Sequence, residues 1–523
     1  MKQLILLTSL LFILTSCFSV KKYNRQISKL HTPQELKEDV DYAYKKLKRL
    51  QPNLYLYISQ NDLESKFDSL KNTLNKPMSS RDFYLQLAPV IMSIRQGHTS
   101  ISPPFKEQTK NELKQKGERR NPFRKFRFRK LQDKVILTRN FGKDSTIQEG
   151  SELLKIDNIE VSTLLESFKN LITGDGYNTT LVPEISRRYI GSLYLRTHGY
   201  KDSLMLTLRK NNLNYDGFVY AYPKKSKVKV TKPKKEKLSK EAKKIAKKEK
   251  KARKKWNRKY GYNKNTKEKT RDLSFIKTDS TPTIAYLKIR RFMVGSYHDF
   301  YEETFQKIDS AKTKYLVIDL RYNGGGRLSE IGTLYSYLID KEEEFIMNAK
   351  MTHNSSWMYP LYHNKSALKT SIFSILYPVA RVIQAIKVEK IDDVSYFKFK
   401  SNRLREPSEN YNYKGEIYVL INGASFSASS IISNNLKASK RAYFVGDETG
   451  GAYNSTVAGR MAEVELPNSK ATLTIGLMNL ETYNKTIPDG YGVTPDKYIK
   501  VTTLKKDEQL DWIIGDISKK EDH

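Results

Sequence analysis

Cysteine is almost missing from this chain of 523 residues: there is one, Cys17. A single thiol excludes an internal disulfide and a zinc site built on cysteines, and beyond residue 17 it excludes a cysteine nucleophile. Long apolar runs are also lacking. The stretch from Leu4 to Leu14 is too short to span a bilayer. Acidic residues are scarce beside basic ones, 57 against 94, which leaves a formal charge of +37. Only seven histidines are available for imidazole chemistry. What is present is ordinary for a globular protein, 38% hydrophobic and 11% aromatic, and the length allows two to four domains with a sizeable core.

The one cysteine stands where it carries information. The opening "MKQLILLTSLLFILTSC" has an early Lys, an apolar run and then Leu14-Thr15-Ser16-Cys17, the layout of a bacterial lipoprotein signal. Cleavage before Cys17 and acylation there would tether the mature chain without spanning the bilayer. The expectation is a signal over 1–17, lipid attachment at Cys17, a tether over 18–30, and a place in the bacterial cell envelope, on the outer membrane, facing the periplasm or the surface. The positive charge is concentrated. Lys224 to Arg271 holds 24 Lys or Arg and four Glu. An exported chain rarely meets nucleic acid, so anionic lipid, polysaccharide or an acidic protein is the expected partner of this block, and a solvated, partly helical insertion over 220–272 is the plain alternative.

Periodicity divides the rest. Residues 31–115 read as helical, opening on a capping box at Thr32 and Glu35 with Pro33 at the first helical position. That region ends at "IRQGHTSISPP", which sets His98 at a helix-to-strand exit. Residues 120–215 change to short strands with one helix, and "GSELLKIDNIEVSTLLESF" resembles the strand-turn-strand-helix of a PDZ domain. From 273 to 510 the pattern is α/β, with buried strands at "TIAYLKI", "YLVIDLR" and "EIYVLI". The segment from Met351 to Tyr413 has little periodicity and many aromatics, which suits a lid or a surface elaboration.

Chemistry gathers at two turns. In "GEIYVLINGASFSASSIISNNLKASK" a serine, Ser427, begins a helix that follows a buried strand, where free amides and the helix dipole favour negative charge on a substrate oxygen. In "YLVIDLRYNGGGRLSEI" three glycines, Gly324 to Gly326, separate strand from helix and let backbone amides approach a ligand. Gly326-Arg327-Leu328 is not a phosphate-loop ending, and Gly423-Ala424-Ser425-Phe426-Ser427 is not the Gly-x-Ser-x-Gly of an α/β-hydrolase elbow.

Taken in order, "VIDLRYNGGG", "INGASFSASSII", "VGDETGG" and "DGYGVTPD" resemble the core of the C-terminal processing and tricorn-type serine peptidases. The resemblance implies an α/β fold with a crotonase-like layered catalytic core, a helical N-terminal region and an inserted PDZ-like domain. It implies Ser427 as nucleophile, and the amides of Ala428 and of Gly325 or Gly324 as the oxyanion hole. In the branch with a lysine base the lysine follows the "VGDETGG" element, where this chain has Ala452. The tricorn-like branch uses a histidine that matches His98, with an acid that matches Asp489. The tricorn protease carries Ser before its His, whereas this chain has Gly97. No metal or organic cofactor is implied, and the expected substrate is a peptide or unfolded protein. The reading from another class is a non-catalytic binding module of the same fold for lipophilic or peptide ligands, with the aromatic segment 351–413 as its pocket.

Overall fold

The computed structural model describes residues 20–142, 145–222, 239–264, 266–279, 281–362, 377–399 and 403–522. Cys17 lies outside them. The C-terminal half is built on a sheet of five parallel strands in the spatial order Lys497–Tyr498, Tyr443–Gly446, Glu416–Ile421, Tyr315–Asp319 and Thr281–Ile289, with Arg271–Thr278 antiparallel at one edge. Runs such as "YLVID" and "IYVLI" are apolar throughout because both faces are covered. Leu316 and Ile318 face the helices Tyr297–Ser310, Leu328–Ser336 and Ala428–Ala438. Their neighbours Tyr315 and Val317 face the opposite way, onto Ile513 and Ile517 of a C-terminal helix, Glu508–Glu521. This helix runs past residue 510, where the sequence boundary was drawn. Parallel strands place their carboxyl ends on one edge, and the turns after Asp319 and Ile421 both leave the sheet there.

The N-terminal helices Pro33–Leu50, Gln60–Thr73 and Ser80–Met92 pack on the long hairpin Ser455–Glu465 and Thr472–Glu481. The capping box at Thr32 and Glu35 is formed as its spacing predicts. After the third helix the chain makes a short strand, Ser100–Ser102, paired antiparallel with Thr472–Thr474. His98 therefore sits on a connector held at both ends. The β domain is an antiparallel meander of Phe126–Leu131, Lys134–Asn140, Glu152–Ile156, Ser203–Lys210 and Leu213–Tyr220, five residues longer than its expected limit at 215.

The expected tether over 18–30 is not free, and the Lys-rich block is helical in part, as its plain alternative has it. Val20–Ser28 is a helix fastened to the body, with Asn24 Nδ2 donating to Glu107 O (2.8 Å) and Gln26 Nε2 to Asn468 O (3.2 Å). Within the Lys-rich block Lys240–Tyr260 forms a helix with no buried residue, yet its root is docked. Ser296 N donates to Arg258 O (3.2 Å), Arg271 Nη1 to Lys259 O (3.3 Å), and Lys259 pairs with Glu303. Arg271 is itself fully buried and paired with Glu330, Nη2 to Oε2 at 2.9 Å.

Candidate active site

The turn after Glu416–Ile421 is stapled by its own polar side chains. Asn422 Oδ1 accepts from Tyr322 N (2.9 Å) and Ala424 N (3.2 Å). Ser425 Oγ accepts from Asn422 N (3.1 Å) and donates to Leu320 O (2.8 Å), so this serine is structural and joins the two turns. Ser427 is different. It is partly exposed, stands at the N-cap of Ala428–Ala438, and its side chain caps nothing. Its backbone, φ 58° and ψ −121°, is a conformation that costs an L-residue about 1–3 kcal/mol and persists only when neighbours impose it.

The glycine turn supplies that constraint. Asn323 O accepts from Phe426 N (3.0 Å), and Asn323 Nδ2 donates to Ile289 O (2.9 Å). At Gly325, φ 92°, a Cβ would lie 2.8 Å from both Ala428 N and Ser427 Cβ, so only glycine lets the turn close on the serine. The Gly325 amide already donates to Asn323 Oδ1 (3.0 Å). The Ala428 and Gly324 amides donate to no group among the described residues, and they are the pair free to receive an oxyanion. The β domain also reaches this turn: the Arg129 guanidinium lies 3.2 Å over the Tyr322 ring, and Arg188 Nη1 donates to Tyr322 O (2.8 Å).

His98 packs against the residue before the serine, its ring centroid 4.9 Å from that of Phe426. Burial pushes its pKa down to about 4, and its Nε2 is buried without a partner. A buried ring nitrogen left without a partner is expensive, about 1–3 kcal/mol, and here it sits beside the turn that carries Ser427. Ser427 Oγ and the imidazole form no hydrogen bond with each other. The glycine before His98 has a steric cause, because a Cβ at Gly97 would stand 2.7 Å from Phe426 Cζ. Asp489 makes no hydrogen bond to the ring; its Oδ1 accepts from Gly490 N (2.6 Å). No lysine stands in for the histidine at the position the other branch uses. Ala452 there is buried, and Lys437 is engaged with Asp496.

One residue at this place went unnoticed in the sequence. Asp175, from the loop between two helices of the β domain, is buried beside the His98 connector. Its Oδ1 accepts from Gly97 N (2.8 Å) and its Oδ2 from Ala452 N (3.4 Å). Burial pushes its pKa up to about 6 against those amides, helped by the Asp489 charge. A Gly-Asp-Gly turn is the only local signal, and it reads as any surface turn.

Residues 283–499, which contain the glycine turn, Ser427 and Asp489, match Peptidase family S41. This core belongs to that family. The protein is accordingly a serine-type peptidase, and the peptidase class implies a peptide or protein substrate. The S41 core and its flanking regions share their fold with mature CPAF, at 16% identity and a TM-score of 0.55 over 89% of this chain and 92% of that one. Mature CPAF complexed with lactacystin gives 16% and 0.56, over 94% and 97%. The photosystem II D1 C-terminal processing protease gives 12% and 0.41, over 92% and 98%. No curated protein sequence matches the chain.

Proposed function

We propose that this S41 peptidase is a lipid-tethered serine endopeptidase of the cell envelope that works through an acyl-enzyme. Ser427 attacks the scissile carbonyl, His98 takes its proton and returns it to the leaving amine, and the Ala428 and Gly324 amides hold the oxyanion. Asp489 stays the proposed acid of the site, acting on the pair through the local field. The catalytic core is crotonase-like and the β domain PDZ-like in this reading. Cys17 carries the lipid, and the exposed Lys240–Tyr260 helix faces an anionic surface. Among the described residues no helix is long and apolar enough to cross a membrane, which is compatible with a tether.

The observation that carries the proposal is the strained Ser427, held at a helix start between a glycine turn and an unpartnered imidazole. The test is labelling by a fluorophosphonate probe together with hydrolysis of an unfolded protein. Wild type is expected to label at one site and to cut; Ser427→Ala is expected to do neither, and His98→Ala to lose roughly 10²-fold or more in rate. Labelling that survives in Ser427→Ala would remove the nucleophile assignment.

A further inference from the structure

We infer that Asp175 is a positioning residue of the peptidase, the carboxylate that holds the base connector and the turn behind the nucleophile in register. The inference rests on the reading of Ser427 and His98 given above and adds a residue from outside the S41 core.

The geometry is that of a strap. Residues 174–178, "GDGYN", leave the β domain and tie three separate segments together. Toward the N-terminal region, Gly97 N donates to Asp175 Oδ1 (2.8 Å) and Gly176 N to Arg95 O (2.8 Å), one bond on each side of Gln96. Toward the turn after Tyr443–Gly446, Ala452 N donates to Asp175 Oδ2 (3.4 Å), and Asn178 Nδ2 donates to Thr449 O (2.8 Å). Toward the loop of the proposed acid, Tyr177 N donates to Gly490 O (2.8 Å). A Cβ on Gly451, next to Ala452, would be 3.0 Å from Ser427 N, so this turn is in contact with the nucleophile.

Asp175 is the charged member of the strap, and its two oxygens face two amides that belong to different parts of the site. A buried carboxylate is retained against its desolvation when both oxygens find donors. Here one donor sets where His98 stands and the other where the Ser427 support stands, so the distance between base and nucleophile passes through one side chain. The titratable and charged groups facing it are Asp489 and Tyr57, with His98 on the connector and Arg95 and Tyr177 at the margin. Protonation would turn one acceptor oxygen into a donor pointed at an amide N–H and so loosen one of the two ties.

Asp175→Asn keeps the shape and one acceptor but turns an NH2 toward the other amide. In the full-length protein it is expected to lower kcat 10- to 100-fold with KM changed less than threefold, and to slow fluorophosphonate labelling by a similar factor. Wild-type kcat should fall as pH drops through about 6, where Asp175 gains its proton. In Asp175→Asn that limb should move down toward the value of His98, about 4. A residue that merely stabilised the fold would lower Tm and leave the limb in place. Ser427→Ala and His98→Ala are measured beside it. Inactive controls together with wild-type kcat and pH profile in Asp175→Asn overturn the role of Asp175 alone. An active His98→Ala overturns the base assignment and the role of Asp175 with it. Should Asp175→Asn fold poorly, Asn178→Ala tests the strap: a kcat loss without a pH shift supports it, and an unchanged kcat counts against it.

Discussion

His98 and Asp175 depart from their solution behaviour in opposite directions, for the same physical reason: burial disfavours the charged form of each. In the unfolded chain the histidine titrates near 6.5 and the aspartate near 3.8; in the fold the values are about 4 and about 6. Between those two values the carboxyl carries a proton and the imidazole stays neutral. The linkage signs follow. His98 refuses a proton that the unfolded chain accepts, so by itself it lowers stability as pH falls from about 6.5 to about 4. Asp175 takes a proton that the unfolded chain does not, so by itself it raises stability as pH falls from about 6 to 3.8. Each effect is on the order of 3 kcal/mol, and in wild type they nearly cancel. Denaturant unfolding across pH 4–7 should then show His98→Gln gaining stability toward acid relative to wild type and Asp175→Asn losing it. Parallel curves for all three proteins would show that neither group is perturbed by burial. At this scale the places of Ser427 at a helix start, of His98 between helix and strand, and of the glycine turn between strand and helix were legible, because each stands in a local motif. Asp175 was not, because its partners lie in segments remote along the chain.

Among the elements, the C-terminal helix Glu508–Glu521 shows how an amphipathic pattern acquires a site role. Leu510, Ile513, Ile514 and Ile517 recur at helical spacing, and Ile513 and Ile517 are fully buried against Ile284, Val317 and Leu420 of the parallel sheet. The helix starts at Asp507, whose carboxylate pairs with Arg321 (2.7 Å). Arg321 also binds Asp319, at 2.8 Å; burial would raise the Asp319 pKa, but Arg321 and Lys288 hold it well below the usual carboxylate range. These groups lie directly before Tyr322 and the glycine turn, so the helix end and the strand end that leads into that turn share one ion network. Ile513→Ala is expected to lose about 2–4 kcal/mol of stability by denaturant unfolding, as buried large-to-small changes do, with kcat changed less than threefold. A large kcat loss without a stability loss would mean that the helix acts on the turn through its packing rather than through Asp507. The pattern was readable; its partner surface was not, since period-2 strands buried on both faces do not say which helix covers which face.

For the whole molecule the Lys-rich helix and its root have separate roles. Lys240–Tyr260 carries 12 Lys or Arg and two Glu, so its outer turns stay in solvent by charge alone. Its last turn is held by Arg271, whose buried pair with Glu330 lies on the helix that follows the glycine turn. Replacing residues 240–253 with a short flexible linker should leave hydrolysis of a small peptide within twofold. It should also weaken binding to vesicles containing anionic lipid, a loss that would appear most clearly at low salt. Arg271→Gln should instead destabilise the protein by about 3–5 kcal/mol, because it leaves a buried carboxylate without its partner. Equal vesicle binding with and without 240–253 would dissociate the arm from any anionic surface.

The sequence by itself determined the elements and the chemistry they could hold. Apolar runs of strand length, capping residues such as Thr32 with Glu35, and a serine beginning a helix are local facts, dictated by backbone hydrogen bonding and side-chain shape within a few residues. The order of the four core motifs was enough to indicate the peptidase class. Tertiary structure alone decided how the site is held. His98, Asp175, Ser427 and Asp489 come from four regions, and their contacts arise only when the N-terminal strand pairs with the long hairpin and the β-domain loop is drawn against both. Those contacts are backbone amides meeting a buried carboxylate and a ring meeting Phe426. Such interactions leave no periodicity in the chain, because every residue has an amide and only the fold selects which one faces a charge.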